Sequence, residues 1–256
     1  MENSTDSEWI QAKSVSFIPP GFYFQKCKRR VKVETLILLA RPPAPGKTKT
    51  RLIPILGKGA AARLYKAFLV DAAGLAREVQ KSRPLAGLTA EWALKDQFPE
   101  ALPLARWLPG PFLHRGQTGA NLGQRMAAAL GRRLAQGANA VLIGTDFPDL
   151  PPEIIIGAFD TLTLSDNAAV LGPARDGGYY LIGMGRLKPG VFSGIEWGGA
   201  GVFEAQKKNL EALGYNVHTL PGWEDVDEPE DLERLRIRLA GNPTAALATR
   251  AALGKI

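Results

Sequence analysis

From residue 34 onward, short apolar runs alternate with longer stretches of helical periodicity. ETLILLA (34–40) is a continuous apolar run of buried-strand length. The stretch 59–80 carries Leu64, Phe68 and Leu75 on one helical face. A strand is predicted over 86–94, a helix over 121–137 with glycine beyond its end, and a strand over 139–146. PPEIIIGAFDTL (151–162) begins with prolines, as helix first turns do. Two strands in close succession, 168–174 and 178–184, precede a helix over 201–214, a strand over 215–220 and a helix over 228–241. Strands separated by helices at this spacing predict a mainly parallel sheet with helices on both faces.

The flanks break this pattern. Residues 1–33 read as an extension with a basic cluster at Lys26, Lys28, Arg29, Arg30 and Lys32. The extension holds Trp9, Ile10, Phe17, Phe22, Tyr23 and Phe24, too apolar for a solvated tail, so part of it, around 21–25, is expected to dock. The stretch 242–256 reads as a loose tail or a short peripheral helix. One domain, 34–241, lies between them.

Composition narrows the class. No stretch approaches the roughly 18 apolar residues of a membrane span, and the polar N-terminus does not read as a secretory signal. The one cysteine, Cys27, excludes an internal disulfide and a cysteine-based zinc cluster. A cytoplasmic location fits both observations. The net charge of +7 suits an anionic ligand. Nucleic acid is not expected, because aromatic and basic residues are not interleaved. Oligomeric state is left open.

The charge is concentrated where a ligand belongs. In an open α/β sheet, ligands bind beyond the carboxyl ends of the strands. RPPAPGKTKTRL (41–52) leaves the first strand there, carrying Arg41, Lys47, Lys49 and Arg51 and no acid. Its prolines restrict the backbone, Gly46 permits close approach to an anion, and the guanidinium of Arg51 can grip phosphate through two parallel hydrogen bonds. Neither a P-loop nor a G-x-G-x-x-G pattern is present.

Acids stand at other strand ends. LIGTDFPDL (142–150) places Asp146 at the end of a strand, and Asp149 either shares a cation or caps the helix after it. GPARDGGYY (172–180) is a glycine-rich turn with Asp176, Gly177, Gly178 and Tyr179, which reads both as a hairpin and as a place for close ligand approach. Asp225 and Asp227 precede a helix whose first-turn acids, Glu230 and Asp231, suit its dipole; the earlier pair could add a metal ligand. Neither His114, read as a loop residue, nor His218, read as a strand residue, makes a convincing general base.

Five motifs in order, RPPAPGKTKTRL, GQTGANLGQRM, GTDFPDL, GPARDGGYYLIG and EDVDEPEDL, resemble the radical-SAM/selenodomain-associated transferases, also called arsenosugar-biosynthesis-type glycosyltransferases. That family is similar to nucleotide-diphospho-sugar transferases of the GT-A fold and more distantly to 2-phospholactate and molybdenum-cofactor guanylyltransferases. The resemblance implies a GT-A three-layer α/β/α sandwich with a mainly parallel, mixed central sheet. It implies a nucleotide at the first loop (Lys47, Lys49, Arg51) and Mg²⁺ or Mn²⁺ on Asp146, with Asp227 as a second ligand. Asp176 and Gly177 would border the reacting centre; among the residues at hand, Asp176 is the best candidate for the catalytic base. The acceptor would lie near Asn121, Gly177, Gly178 and Tyr179. Three departures stand out: GANLGQRM replaces the usual GDLGERM, GTDFP replaces GSDCP, and WGGAG (197–201) stands where tryptophan is often followed by serine or threonine. The partners implied are a nucleotide sugar or nucleoside triphosphate and a small-molecule acceptor. Three readings follow: glycosyl transfer, nucleotidyl transfer to a phosphorylated small molecule, or nucleotide binding without catalysis.

Overall fold

The computed structural model describes residues 32–94 and 104–256. The basic cluster through Arg30, Cys27 and the segment expected to dock at 21–25 lie outside the described residues. Seven strands form one sheet: β1 (Glu34–Ala40), β2 (Gly87–Trp92), β3 (Phe112–Gly116), β4 (Asn139–Ile143), β5 (Ala168–Pro173), β6 (Tyr179–Met184) and β7 (Asn216–Thr219). Their order is β3-β2-β1-β4-β6-β5-β7, and β6 alone runs against the rest. The helices are α1 (Ile53–Ser82), α2 (Leu104–Trp107), α3 (Leu122–Leu134), α4 (Pro152–Leu164), α5 (Val202–Ala212), α6 (Pro229–Gly241) and α7 (Leu247–Leu253).

β1 is apolar throughout because both of its faces are covered. Leu36 and Leu38 pack with Leu64, Phe68, Phe159 and Leu235 of α1, α4 and α6. Ile37, one residue out of phase, packs with Met126 and Leu130 of α3 and Leu210 of α5. Two helical layers therefore sandwich the sheet, the mixed, mainly parallel α/β/α architecture expected. No helix among the described residues is long and apolar enough to cross a membrane.

Several element boundaries differ from those predicted. α1 starts at Ile53 rather than 59, with Pro54 in its first turn, and Gly57 (φ 77°, ψ 159°) breaks it before the long regular part. β4 ends at Ile143 rather than 146, which leaves Thr145 and Asp146 on the loop above the sheet. β3 was not predicted, and His114 lies within it rather than on a loop. Of its five residues only Phe112 is buried, so this edge strand carries no strong apolar pattern. The 242–256 stretch contains α7. Its first turn donates from Ala248 N, Thr249 N and Thr249 Oγ1 to the Asp71 carboxylate of α1. Burial raises that carboxyl above its ordinary value.

Candidate functional site

The chain leaves β1 into a loop stapled by a buried threonine. Thr48 Oγ1 donates to Pro42 O (3.0 Å) and accepts from Ala44 N (3.1 Å). Gly46 (φ 79°) makes the turn, and Arg41 and Lys47 stand exposed on it. Lys49 follows in the left-handed region (φ 49°), a conformation a non-glycine residue holds only under surrounding constraint. Here the constraint is its side chain, 3% exposed, which runs inward instead of out to solvent.

The Lys49 ammonium lies 2.5 Å from Asp146 Oδ1 and 3.6 Å from Asp227 Oδ1, and 5.8 and 5.6 Å from the ring centres of Tyr65 and Phe68. This corrects the expectation that Lys49 faces phosphate alongside its neighbours: its charge is directed to the acids. Arg51 pairs with Asp227 (3.0 Å) and Glu228 (3.3 Å) while remaining largely exposed. Tyr65, which reads in sequence only as one residue of a helix face, ties the parts together. Its hydroxyl accepts from Arg41 N (3.2 Å) and shares a 2.8 Å hydrogen bond with Thr145 Oγ1, next to Asp146. Burial, then the Asp146 charge, pushes the Tyr65 phenol far above its ordinary value, so it stays a neutral scaffold.

Backbone hydrogen bonds bring the distant acids together. Val226 N donates to Asp146 O (3.1 Å), which sets 225–227 beside the end of β4. Trp223 N donates to Pro173 O (3.0 Å) and Arg175 N to Trp223 O (3.2 Å), so the same segment flanks the turn carrying Asp176. Asp227 N and Glu228 N both donate to Asp231 Oδ2, in a capping box that starts α6. Asp231 is structural, as its place in the sequence suggests.

Asp225 sits within this acid group. Burial first, then the Asp176 charge, with Asp231 and Asp146 adding and Lys49 opposing, raise its carboxyl from 3.8 to about 6. The folded state therefore holds a proton on Asp225 that the unfolded chain releases, and stability is lost as pH rises from 3.8 to about 6. Asp225→Asn is expected to leave the melting temperature unchanged below pH 4 and to raise it above that of the unsubstituted protein at pH 7. Calorimetry in chelator checks this, and parallel profiles would contradict it.

The glycine-rich turn is a hairpin between β5 and β6, as its Asp-Gly sequence suggests. Asp176 Oδ1 accepts from Gly178 N (2.9 Å), and Gly177 holds φ 87°. Tyr179 does not present its hydroxyl at this edge but on the α3 side of the sheet. The phenol donates to Gln206 Oε1 (3.2 Å) beneath the sheet, and burial holds it far above its ordinary value.

Asn121 and Gln124 cap α3 reciprocally: Gln124 N donates to Asn121 Oδ1 (2.9 Å) and Ala120 N to Gln124 Oε1 (2.8 Å). The amide oxygens supply the acceptors that carboxylates would, so the departure from GDLGERM costs charge but not the helix start. Asp149 neither caps α4 nor joins the acids. It accepts from Arg238 Nε (2.7 Å) and Trp223 Nε1 (3.3 Å). His114 accepts at Nδ1 from Trp92 Nε1 (2.9 Å), and burial lowers its pKa; His218 is exposed on β7. Neither histidine is among the acids.

Among the described residues, no group of three or more His, Cys, Asp or Glu side chains forms a ready metal cage. Asp146 and Asp227 do converge on one cation position, the one held by the Lys49 ammonium. Two carboxylates with substrate phosphates are a usual Mg²⁺ environment, so these residues fit a divalent ion that arrives with a nucleotide.

The model of the family described as an uncharacterized protein conserved in bacteria (DUF2064) matches residues 77–199. A solved structure from Desulfovibrio desulfuricans G20, of a protein assigned as a candidate nucleotide-diphospho-sugar transferase, is 32% identical, covers 88% of this chain and 95% of its own, and superposes with a TM-score of 0.77. The chain belongs to the DUF2064 family. Beyond it, this DUF2064 protein shares its fold with a cytidylyltransferase of Leptospira borgpetersenii serovar Hardjo-bovis (strain JB197) (13% identity, 88% and 94% coverage, TM-score 0.53). The same holds for 4-diphosphocytidyl-2C-methyl-D-erythritol synthase of Anaerococcus prevotii DSM 20548 (11%, 82% and 96%, TM-score 0.51). No curated protein sequence matches it. The family match runs from Arg77 to Gly199, so Lys49 and Asp227 lie outside it.

Proposed function

We propose that the protein is a nucleotide-sugar-dependent glycosyltransferase acting on a small-molecule hydroxyl, assisted by Mg²⁺ or Mn²⁺ on Asp146 and Asp227. The observation that carries this is the convergence of these two carboxylates on one cation position, beside a cationic loop at the carboxyl edge of the sheet. The relative at 32% identity, assigned to nucleotide-diphospho-sugar transfer, supports it. The narrower resemblance to the radical-SAM/selenodomain-associated transferases belongs to the same proposal.

In this reading, Arg41, Lys47, the Gly46 backbone and Arg51 hold the donor diphosphate. The acceptor oxygen bonds to the anomeric carbon, the bond from that carbon to the β-phosphate oxygen breaks, and the nucleoside diphosphate leaves with the electron pair. Asp176, exposed at the turn, takes the acceptor proton. The bound cation supplies neutralisation of charge on the leaving diphosphate. Arg41, Lys47 and Arg51 add fixed positive charge on the same group.

The released product tests this reading. The protein is incubated with Mn²⁺, a panel of nucleotide sugars or, in parallel, nucleoside triphosphates, and a deproteinised bacterial extract as acceptor source. The expected product is a nucleoside diphosphate. Pyrophosphate released from a nucleoside triphosphate instead would establish nucleotidyl transfer, and nucleotide binding with neither product would establish a non-catalytic binder.

A further inference from the structure

A second feature lies on the other helical layer. After β6 the chain crosses the face covered by α3 and returns to the functional edge, leaving a cavity of about 820 Å³ between α3 and residues 187–197. That is within the usual range for small-molecule sites. One wall is aromatic: Phe192 and Trp197 stand 6.4 Å apart, centre to centre, tilted by 42°. Trp197 rests on Gly123, where an added Cβ would come within 2.6 Å of the indole, so glycine there sets how close the ring lies to α3. The polar lining is Asn121, Gln124, Ser193 and Glu196.

The cavity is physically joined to the reacting edge. Ala200, three residues past Trp197, packs against Gly177, and Phe203 N donates to Gly177 O (2.9 Å). The segment that carries Trp197 is therefore tied to the turn that carries Asp176.

Its lining chemistry selects a class of ligand. Lys188 is the cation among the lining residues, and its ammonium donates to Leu213 O (2.7 Å) and Gly214 O (3.3 Å) while stacked 4.4 Å from the Tyr215 ring centre. Glu196 adds a negative charge. An anionic phosphate ester would meet repulsion here and no directed cation. A neutral polyhydroxylated molecule would gain stacking on an indole, a carboxylate acceptor for its hydroxyls and two side-chain amides.

We infer that this cavity is the acceptor site and that it takes a neutral, polyhydroxylated small molecule, a sugar or polyol, stacked on Trp197 and hydrogen-bonded by Glu196. The inference rests on the glycosyl-transfer reading above, and it separates that reading from transfer to a phosphorylated acceptor.

Saturation-transfer NMR tests it. The probes are glucose, mannose, galactose, inositol and glycerol, against glucose 6-phosphate and glycerol 3-phosphate. At least one neutral probe is expected to receive saturation from the unsubstituted protein. Trp197→Ala should abolish that signal and Trp197→Phe retain it. Glu196→Gln, at an exposed position that folding does not depend on, should weaken the titrated affinity roughly fivefold. Preference for the phosphate esters, no neutral binding, or neutral binding unchanged by Trp197→Ala and Glu196→Gln would each overturn the inference. Mn²⁺-dependent nucleoside diphosphate binding is titrated in the same samples. If it persists, only the acceptor assignment has failed; if the unsubstituted protein lacks it, the functional reading has failed.

Discussion

Gly177→Ala is expected to cut kcat/KM for nucleoside diphosphate release by about 100-fold or more and to lower the melting temperature by roughly 5–15 °C. The residue holds φ 87°, which an L side chain resists by about 1–2 kcal/mol. The added Cβ would also stand 2.0 Å from Ala200 O and 2.6 Å from Ala200 Cα. Those neighbours are backbone atoms, so no rotamer change relieves the overlap, and overpacking of this kind adds about 1–3 kcal/mol. Either the Asp176 turn or the turn through Ala200 that leads into α5 must shift. Misplacing a reacting group by about 1 Å is enough for the kinetic loss. Gly178→Ala is the control for stability: its Cβ would meet only the Asp176 carboxyl group, a side chain, with Oδ1 at 3.1 Å and Oδ2 at 3.6 Å, and it has no positive φ. Similar losses of melting temperature from both substitutions would show that the close approach at Ala200 has no special part.

Lys49→Met is expected to destabilise the protein in chelator and to make it more responsive to Mn²⁺ than the unsubstituted chain. Methionine fits the channel between Tyr65 and Phe68 but leaves Asp146 and Asp227 facing each other without the ammonium. Removing one partner of a fully buried pair costs about 3–5 kcal/mol. Asp146 and Asp227 are 43% and 40% exposed, and solvent screening reduces this to about 1–3 kcal/mol. With the competing ammonium gone, a divalent ion has the carboxylates to itself, and binding to the native state stabilises by mass action. Equal Mn²⁺-induced shifts in the two proteins would mean that Lys49 does not hold the cation position.

Much of this arrangement was legible in sequence because it follows from chain topology. Alternating strands and helices gave the doubly covered sheet. A strand's carboxyl end is where a ligand meets the chain, which put the 41–51 loop, Asp146 and the 176–178 turn at one edge. What sequence could not give was direction. Lys47, Lys49 and Arg51 are equivalent as a run of cations. Only the left-handed backbone at Lys49, set by the Thr48 staple and the aromatic channel, turns one of them inward. Tyr179 looked exposed beside two glycines, yet strand alternation sends its phenol beneath the sheet. Asn121 looked like a lost charge until the reciprocal bonds with Gln124 made it a helix cap. Tyr65 carries no local signal, because an aromatic residue on a helix reads as packing until its neighbours are known, and Trp197 was marked only by its place at the head of WGGAG.

The central claim is that Asp146 and Asp227 hold a divalent cation against a nucleotide diphosphate, and titration of Asp146→Asn tests it most directly. Calorimetric binding of nucleoside diphosphates is measured with Mn²⁺ and with chelator, for the unsubstituted protein and the variant. The account predicts that Mn²⁺ strengthens binding by at least tenfold in the unsubstituted protein and that this gain disappears in the variant. The same affinity and the same Mn²⁺ dependence in both proteins would contradict it.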